Sequence, residues 1–426
     1  TDTLVAVGLP QEASANACFV PGRTEVRGKH SDYAGGRSLI AAAERGFCAI
    51  AVPRNDATID MTDARNGHHA SFPLAPDLVP PQGHWSNYPM TVARRVARNF
   101  PGALRGATIA LTSDLPPAAG MSSSSALIVM TFLLLSRTNN LPKRESYAKQ
   151  IRESVDLAGY LGTIENGRSF GCLIGDRGVG TFGGSEDHTA ILCSSPNMLG
   201  QFSYCPVRLE RRVELSDKYT FALASSGTVA EKTGAAMEKY NRASQLASAA
   251  AQAWRQSTGR RDPHLAAAVS SAPDATDQIR NVLSSVQHAD FRAEDLVRRF
   301  EHFYEESEQI LPAIADVLDE DTVMPFGELV DRSQQLGADL LGNQVPETIA
   351  LAAMARDLGA AAASAFGAGF GGSVWALVRS AQVEPFLEEW ASRYATAFPA
   401  LADEAMFFSS RPAPAAFFPG GLDNSV

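Results

Sequence analysis

The stretch "GATIALTSDLPPAAGMSSSSALIVMTFLLL" (residues 106–135) constrains the fold more than any other part of the chain. Residues 106–116 read as a strand, the chain turns at Gly120, and four consecutive serines open an apolar segment of helical length. The order strand, Gly/Ser loop, helix has a physical consequence. The first turn of a helix carries unpaired N–H groups and the positive end of the macrodipole, so it attracts anions. One serine suffices as an N-cap. Four in a row also offer hydroxyls to a phosphate or to a magnesium shell.

A second glycine cluster, "GAGFGG" (367–372), satisfies G-x-G-x-x-G through Gly367, Gly369 and Gly372. The dinucleotide fingerprint needs a strand before the loop and a helix after it. The Ala-rich residues to about 363 read as helix and "SVWALV" reads as strand, so the order is reversed and that fold is excluded. No G-x-x-x-x-G-K-[ST] occurs.

At 426 residues, two domains are expected. Strand candidates lie within 37–63 and 106–116, and segment 143–163 has helical character. From about 211 the chain becomes richer in helix, with "KYTFALASSG" as a strand and an Ala-rich helix to about 257. This predicts an α+β chain with domains at 1–210 and 211–426. The net charge of −10 argues against a nucleic-acid partner, which needs clustered Lys and Arg. Five cysteines, odd in number and without a C-x-x-C pair, suit a reduced chain rather than a disulfide framework or zinc site. The longest apolar run, 126–135, is half a membrane span, and no signal-peptide layout begins the chain. The expectation is a cytoplasmic protein without a membrane partner, as monomer or homodimer.

Three stretches, "PGRTEVRGKHSDYAGG" (21–36), "LPPAAGMSSSSAL" (115–127) and "GAGFGGSVWALV" (367–378), together resemble the three motifs of the GHMP small-molecule kinases. The first is similar to the galactokinase signature G-R-x-N-x-x-G-E-H-x-D-Y-x-x-G. "IENGRSFGC" followed by "GGSEDHTAIL", and "ALASSGTVAEKTGAAMEKYNRAS", resemble two further family segments. The resemblance implies an N-terminal ribosomal-protein-S5-like domain and a C-terminal ferredoxin-like α/β sandwich, with the active site in the cleft between them. It also implies ATP and Mg²⁺ as cofactors and transfer of phosphate to the anomeric C1 hydroxyl of a sugar.

Carried over residue by residue, Asp187 is the carboxylate at the acceptor hydroxyl and Arg23 the cation at the transferring phosphate. A structural ion pair between the two is compatible with both roles. Backbone amides of Ala118, Ala119, Gly120, Met121, Ser122, Ser123 and Ser124 would hold the phosphates. Ser124 and Glu165 would coordinate the metal, although an insertion separates Glu165 from Asp187. Trp85 resembles the aromatic beside the adenine, with a core Trp as the plain alternative. Lys29, His30, Asp32, Gly184 and Tyr240 fall at sugar-contacting positions, and Tyr240 could equally be a half-buried helix aromatic.

The motif breaks at Lys29, where galactokinases carry Glu, at Glu25 in place of Asn, and at Arg27 in place of an aliphatic residue. An ammonium donates and cannot accept, so it does not copy a carboxylate. The readings are that Lys29 meets the carboxylate of a uronic acid such as galacturonate or glucuronate, that it donates to a hydroxyl of a neutral sugar such as galactose, or that it turns away to pair with Glu25 or Asp32. A sugar sensor without catalysis is a further reading. The full-length serine loop, Arg23 and Asp187 favour an enzyme, and the H-x-D-Y of the first motif speaks against a mevalonate or homoserine kinase.

Overall fold

The first strand, β1 (Asn16–Arg27), carries an arginine, a glutamate and a second arginine at alternate positions into the interior, where Arg23, Glu25 and Arg27 are all buried. β1 pairs antiparallel with the long β2 (Arg37–Pro53), whose other edge takes β5 (Ala107–Ser113) near one end and β6 (Met198–Ser203) near the other. With β3 (Thr58–Asp63), β4 (His69–Pro73) and β7 (Arg208–Glu214), the order is β4-β3-β5-β2-β6-β7, β1 lying on β2. The computed structural model describes residues 15–228, 234–319 and 323–419; residues 229–233 of the "SSGTVAEKTG" loop lie outside the described residues.

Four helices organise the first half: α1 (Asn87–Asn99), α2 (Ser123–Asn139), α3 (Ser154–Asn166) and α4 (Glu186–Cys193). α2 is apolar around most of its circumference, and Ile128, Val129, Met130 and Phe132 are completely buried. A helix of that kind must lie inside the molecule. It packs on β1 and β2, and α4 lies against the same two strands.

In the second half α5 (Gly234–Thr258) and α6 (Ala293–Phe303) form an apolar cluster around Trp254 and Phe300 that closes on Tyr33 and Ala34. α7 (Val323–Leu336) and α8 (Pro346–Asp357) lead to a four-stranded antiparallel sheet of order β11-β8-β10-β9. Its strands are β8 (Tyr219–Ser225), β9 (Ala362–Phe366), β10 (Ser373–Arg379) and β11 (Met406–Ser410). The two-residue period of β10 divides its side chains. Val374, Ala376 and Val378 pack with Leu351 of α8 and Trp390 of α9 (Val383–Ala397), while Trp375 and Leu377 join the main core. No helix among the described residues is long and apolar enough to cross a membrane.

Several local expectations need correction. The Ala-rich residues before the glycine loop are strand β9, not helix. α8 ends at Asp357, Gly359 takes a left-handed φ of 91°, and pairing with β10 overrides the helical preference of alanine. The glycine cluster is therefore a hairpin loop, which still excludes a dinucleotide turn because no helix follows. Segment 143–163 splits into Glu145–Gln150 and α3, since Asp156 accepts from the Arg152 and Glu153 amides (3.0 and 3.2 Å) and starts a new helix. β7 runs across the expected 210/211 division, so the two sheets part at 215–218. Finally the chain end returns to the first sheet, Phe417 bridging Phe19 and Ala413 bridging Ala42.

The end of β1 fastens the halves together. Arg27 donates to Ser364 Oγ on β9 (2.9 Å) and to the Val330 carbonyl of α7 (3.1 Å), and its guanidinium lies over the Trp375 ring. Lys29 donates to the same Ser364 Oγ (2.8 Å) and to Gln334 Oε1 (3.1 Å). Glu306 accepts from the Gly28 amide and from Ser333 Oγ, and its charge supports both cations. Burial, with Arg27 adding repulsion, pushes the Lys29 ammonium down to about 7, against the pull of Glu306 and Glu25. The folded chain thus holds this proton more weakly than the unfolded chain. Its destabilising effect is fully present below about pH 7 and is relieved as pH rises towards the ordinary lysine value of 10.5. When wild type and Lys29→Met are melted side by side from about pH 6 to 9.5, the difference in Tm should move steadily in favour of the wild type.

Candidate active site

The loop between β5 and α2 is built for an anion. Ala118, Gly120 and Ser122 all have left-handed backbones, with φ of 47°, 73° and 61°. Alternating hand along a short loop turns successive N–H groups inward to form a nest. Each non-glycine residue there costs about 1–2 kcal/mol, so the surrounding structure must impose the shape. Ser373 Oγ of β10 donates to the Ala119 carbonyl (2.6 Å), and the Arg23 amide and side chain donate to the carbonyls of Met121 and Gly120 (3.1 and 3.2 Å). Gly367, at φ 82°, approaches so closely that a Cβ would lie 2.7 Å from the Gly120 carbonyl oxygen.

Ser122 is the N-cap of α2, yet its side chain makes no capping bond, and its buried hydroxyl has no partner among the described residues. An orphaned hydroxyl at a helix N-terminus beside a nest fits a phosphate group. The cleft over this loop is lined by Ala118, Ala119, Gly120, Ser122, Ser123 and Ser124, with Trp85 and Tyr88 further along. Trp85 is half-buried: it lines the cleft and also packs against the core. The Met121 side chain is fully buried in the core, and its expected contribution is from the backbone alone.

A second, polar pocket adjoins this cleft, and Ala368 lines both. Arg23 and Asp187 meet there. Arg23 Nε and Nη2 both bond Asp187 Oδ1 (2.8 and 2.7 Å), while Glu25 and Glu186 lie 3.4 and 3.7 Å from the same guanidinium. Burial alone would lower the Arg23 pKa, but Asp187, Glu25 and Glu186 raise it overall, so the cation is secure. Asp187 sits in the first turn of α4, where the helix dipole favours a carboxylate.

His30, Asp32, Gly184 and Tyr240 line the same pocket. Asp32 accepts from the amides of Tyr33 (2.8 Å) and Glu186 (3.1 Å). A Cβ on Gly184 would stand 2.3 Å from Asp32 Oδ2, so glycine is required there. His30 is held between the Tyr33 hydroxyl (2.9 Å) and the Ala368 carbonyl (3.0 Å), and Arg299 donates to its backbone carbonyl. Tyr240 of α5 places its ring 5.2 Å from that of His30. Burial pushes the carboxyls of Glu25, Asp32 and Glu186 upward, Glu186 furthest because Glu25, Asp32 and Asp187 surround it.

Lys29 is not among these residues. Its ammonium is committed to Ser364 and Gln334, on the side of β1 facing the second sheet, so the expected contact with a sugar is corrected. The expected pairing of Ser124 with Glu165 also shifts by one residue. Ser124 lines the serine-loop cleft, whereas one helical step further Ser125 Oγ contacts both Glu165 Oε2 (2.9 Å) and Asp187 Oδ2 (3.2 Å). Glu165 stays beside Asp187 despite the insertion, because the insertion folds back and Thr181 donates to Glu165 Oε1 (3.2 Å). Its carboxylate and the neighbouring serine hydroxyls are hard oxygen donors of the kind Mg²⁺ takes.

Sequence reasoning did not find Ser125, Ser373 or Asn241. Asn241 pins the insertion by accepting from the Phe182 amide and donating to the Gly180 carbonyl (2.8 and 2.9 Å). Its position directly after Tyr240 was the available signal.

Comparison with known proteins matches this arrangement. The model of the GHMP kinases N terminal domain covers residues 87–167, and that of the GHMP kinases C terminal covers 314–396. The chain belongs to the GHMP kinases. It is 26% identical over 390 residues to a galactokinase of Exiguobacterium sibiricum, covering 90% of each chain. It is 27% identical over 399 residues to a galactokinase of Chloroflexus aggregans, covering 91% of this chain and 89% of the relative. The crystal structure of Lactococcus lactis galactokinase complexed with galactose shares the fold at a TM-score of 0.78 and 20% identity, with 98% of each chain covered. Methanococcus jannaschii mevalonate kinase shares it at a TM-score of 0.54 and 14% identity, with 95% of this chain and 100% of that chain covered. This GHMP kinase is a sugar kinase and uses ATP with Mg²⁺.

Two substitutions test the site's construction. Gly367→Ala should cost about 1–2 kcal/mol of stability, because its φ is left-handed. It should also raise the KM for ATP above that for sugar by displacing the Gly120 carbonyl, which steady-state kinetics at varied ATP would register. Ser125→Ala removes the hydroxyl shared by two carboxylates and should lower kcat roughly tenfold, a hydrogen bond to a charged group contributing about 1.5–3 kcal/mol.

Proposed function

We propose that this kinase transfers the γ-phosphoryl group of ATP to the anomeric C1 hydroxyl of a neutral hexose of the galactose type. The observation that carries the reading is the Arg23–Asp187 pair, joined by two bonds to one oxygen, in a polar pocket that adjoins a serine-lined anion cleft. Relatives named galactokinase support the sugar class.

In this reading His30, Asp32 and Tyr240 grip the sugar, and its C1 hydroxyl points to Asp187. The hydroxyl oxygen bonds to the γ-phosphorus as the bond to the β–γ bridging oxygen breaks. The hydroxyl proton passes to Asp187 and from there to solvent. Arg23 orients the Asp187 carboxylate and offers fixed positive charge to the transferring group. Backbone amides of 118–124 cradle the phosphates. Glu165, with the Ser125 hydroxyl bonded to it and Ser124 in the adjoining cleft, would hold Mg²⁺, which when bound neutralises phosphate charge.

Lys29 was the motive for a uronic acid acceptor. Its commitment to Ser364 and Gln334 removes that motive and favours the neutral sugar. The intact loop, Arg23 and Asp187 favour catalysis over sensing. Asp187→Asn should reduce sugar-dependent ADP release roughly 10³-fold, while nucleotide binding measured by calorimetry stays close to wild type. Transfer surviving in that variant would remove Asp187 from the mechanism.

A further inference from the structure

Glu25 occupies an unusual position in the pocket. Its carboxylate is 3% exposed and lines the sugar-side pocket. One oxygen, Oε2, is satisfied: it accepts from the Gly367 amide (3.1 Å) and lies 3.4 Å from Arg23 Nη2. The other, Oε1, is buried without a hydrogen-bond partner among the described residues. Glu186, across the same guanidinium, also has its Oε1 buried without a hydrogen bond among the described residues, 3.7 Å from Arg23 Nε. A protein seldom leaves a buried acceptor unsatisfied, and an orphan lining a ligand pocket is explained when the ligand brings the donor.

The charge of the pocket points the same way. Its lining includes the carboxyl groups of Glu25, Asp32, Glu165, Glu186 and Asp187 against the single guanidinium of Arg23. Position 29, where the resemblance leads one to expect a sugar-accepting carboxylate, holds a lysine turned towards the second sheet. Glu25, four residues earlier on the same segment, brings a carboxylate back.

We propose that Glu25 is the specificity-determining residue of the sugar-side pocket: its Oε1 accepts a hydrogen bond from an acceptor hydroxyl, and a carboxylate on the acceptor, which brings no donor, is refused there. The proposal rests on the function proposed above. It deepens that reading by naming the class admitted, sugars that present donors, and the class refused, uronates. A carboxylate on the acceptor would meet at Glu25 Oε1 another acceptor in a water-poor pocket.

The test is steady-state kinetics of wild type and Glu25→Gln with galactose, galacturonate and ATP. The wild type should use galactose at least about 100-fold more efficiently than galacturonate. Glu25→Gln should raise the KM for galactose roughly tenfold, leave the KM for ATP within about twofold, and narrow the galactose-to-galacturonate ratio at least about tenfold. A residue that merely braces Gly367 and Arg23 would move the KM for ATP or kcat and leave the ratio unchanged, and that outcome overturns the proposal. Should Glu25→Gln not fold, Glu25→Asp, which withdraws the acceptor from the hydroxyl, is measured in its place. The ratio must narrow there too, and an unchanged ratio is equally fatal. If the wild type transfers phosphate to neither sugar, the proposed reaction fails while Glu25 is still decided by calorimetric binding of the same two sugars. Galactose binding weakened in the variant supports its role, and unaltered or absent binding ends it.

Discussion

A strand that takes Arg23, Glu25 and Arg27 into the interior, followed at once by a buried Lys29, can exist only if every charge meets a partner. Removing an ion from water costs several kcal/mol even after relaxation. No single element could supply the partners. Asp187 comes from α4, Gly367 from the hairpin of the second sheet, Ser364 from β9, the Val330 carbonyl and Gln334 from α7, and Glu306 from the segment after α6. β1 is thereby the seam on which the two halves close. Arg27 and Lys29 do structural work on one side of it, while Arg23 and Glu25 face the pocket on the other.

The anion loop depends on that seam. Left-handed Ala118 and Ser122 do not hold their shape unaided. The contacts that hold them come from β1, through Arg23, and from the second sheet, through Ser373 and the close approach of Gly367. A chain lacking the second half would keep the serines and lose the conformation that makes them useful. This explains physically why the glycine hairpin matters although it contributes little side-chain chemistry of its own: its small residues let one backbone lie against another.

Much of this was legible in the sequence. Four serines after a strand and a glycine can hardly be anything but a helix start, and the β-branched and apolar runs of β2, β5 and β8 declared themselves. Asp187, Arg23, His30, Asp32, Gly184 and Tyr240 were named from motif context, and they line one pocket. β9 was misread because its "AASAF" has the composition of a helix. Only the neighbouring β10, far more strongly patterned, makes it a strand. Ser125 was missed for a different reason. In a run of identical residues, composition cannot say which hydroxyl faces inward, and that depends on where the first helical turn begins. One residue along a helix is 100° around it, enough to separate Ser124 in the cleft from Ser125 against two carboxylates.

Lys29 shows the limit of reading a substitution at its own position. Taken alone, lysine for glutamate in a sugar signature argues for an acidic acceptor, since ammonium and carboxylate attract. That inference assumes the side chain keeps its direction. In the structure the substitutions at 25, 27 and 29 act as a set. Arg27 and Lys29 converge on Ser364, with Glu306 supplying the compensating charge, and Glu25 stays with Arg23 at the pocket. The positive charge added to the motif is spent on joining the halves, and the pocket keeps a carboxylate through Glu25. Lys29, which taken alone invites an anion, therefore stands away from a pocket whose lining carries five carboxyl groups and the guanidinium of Arg23.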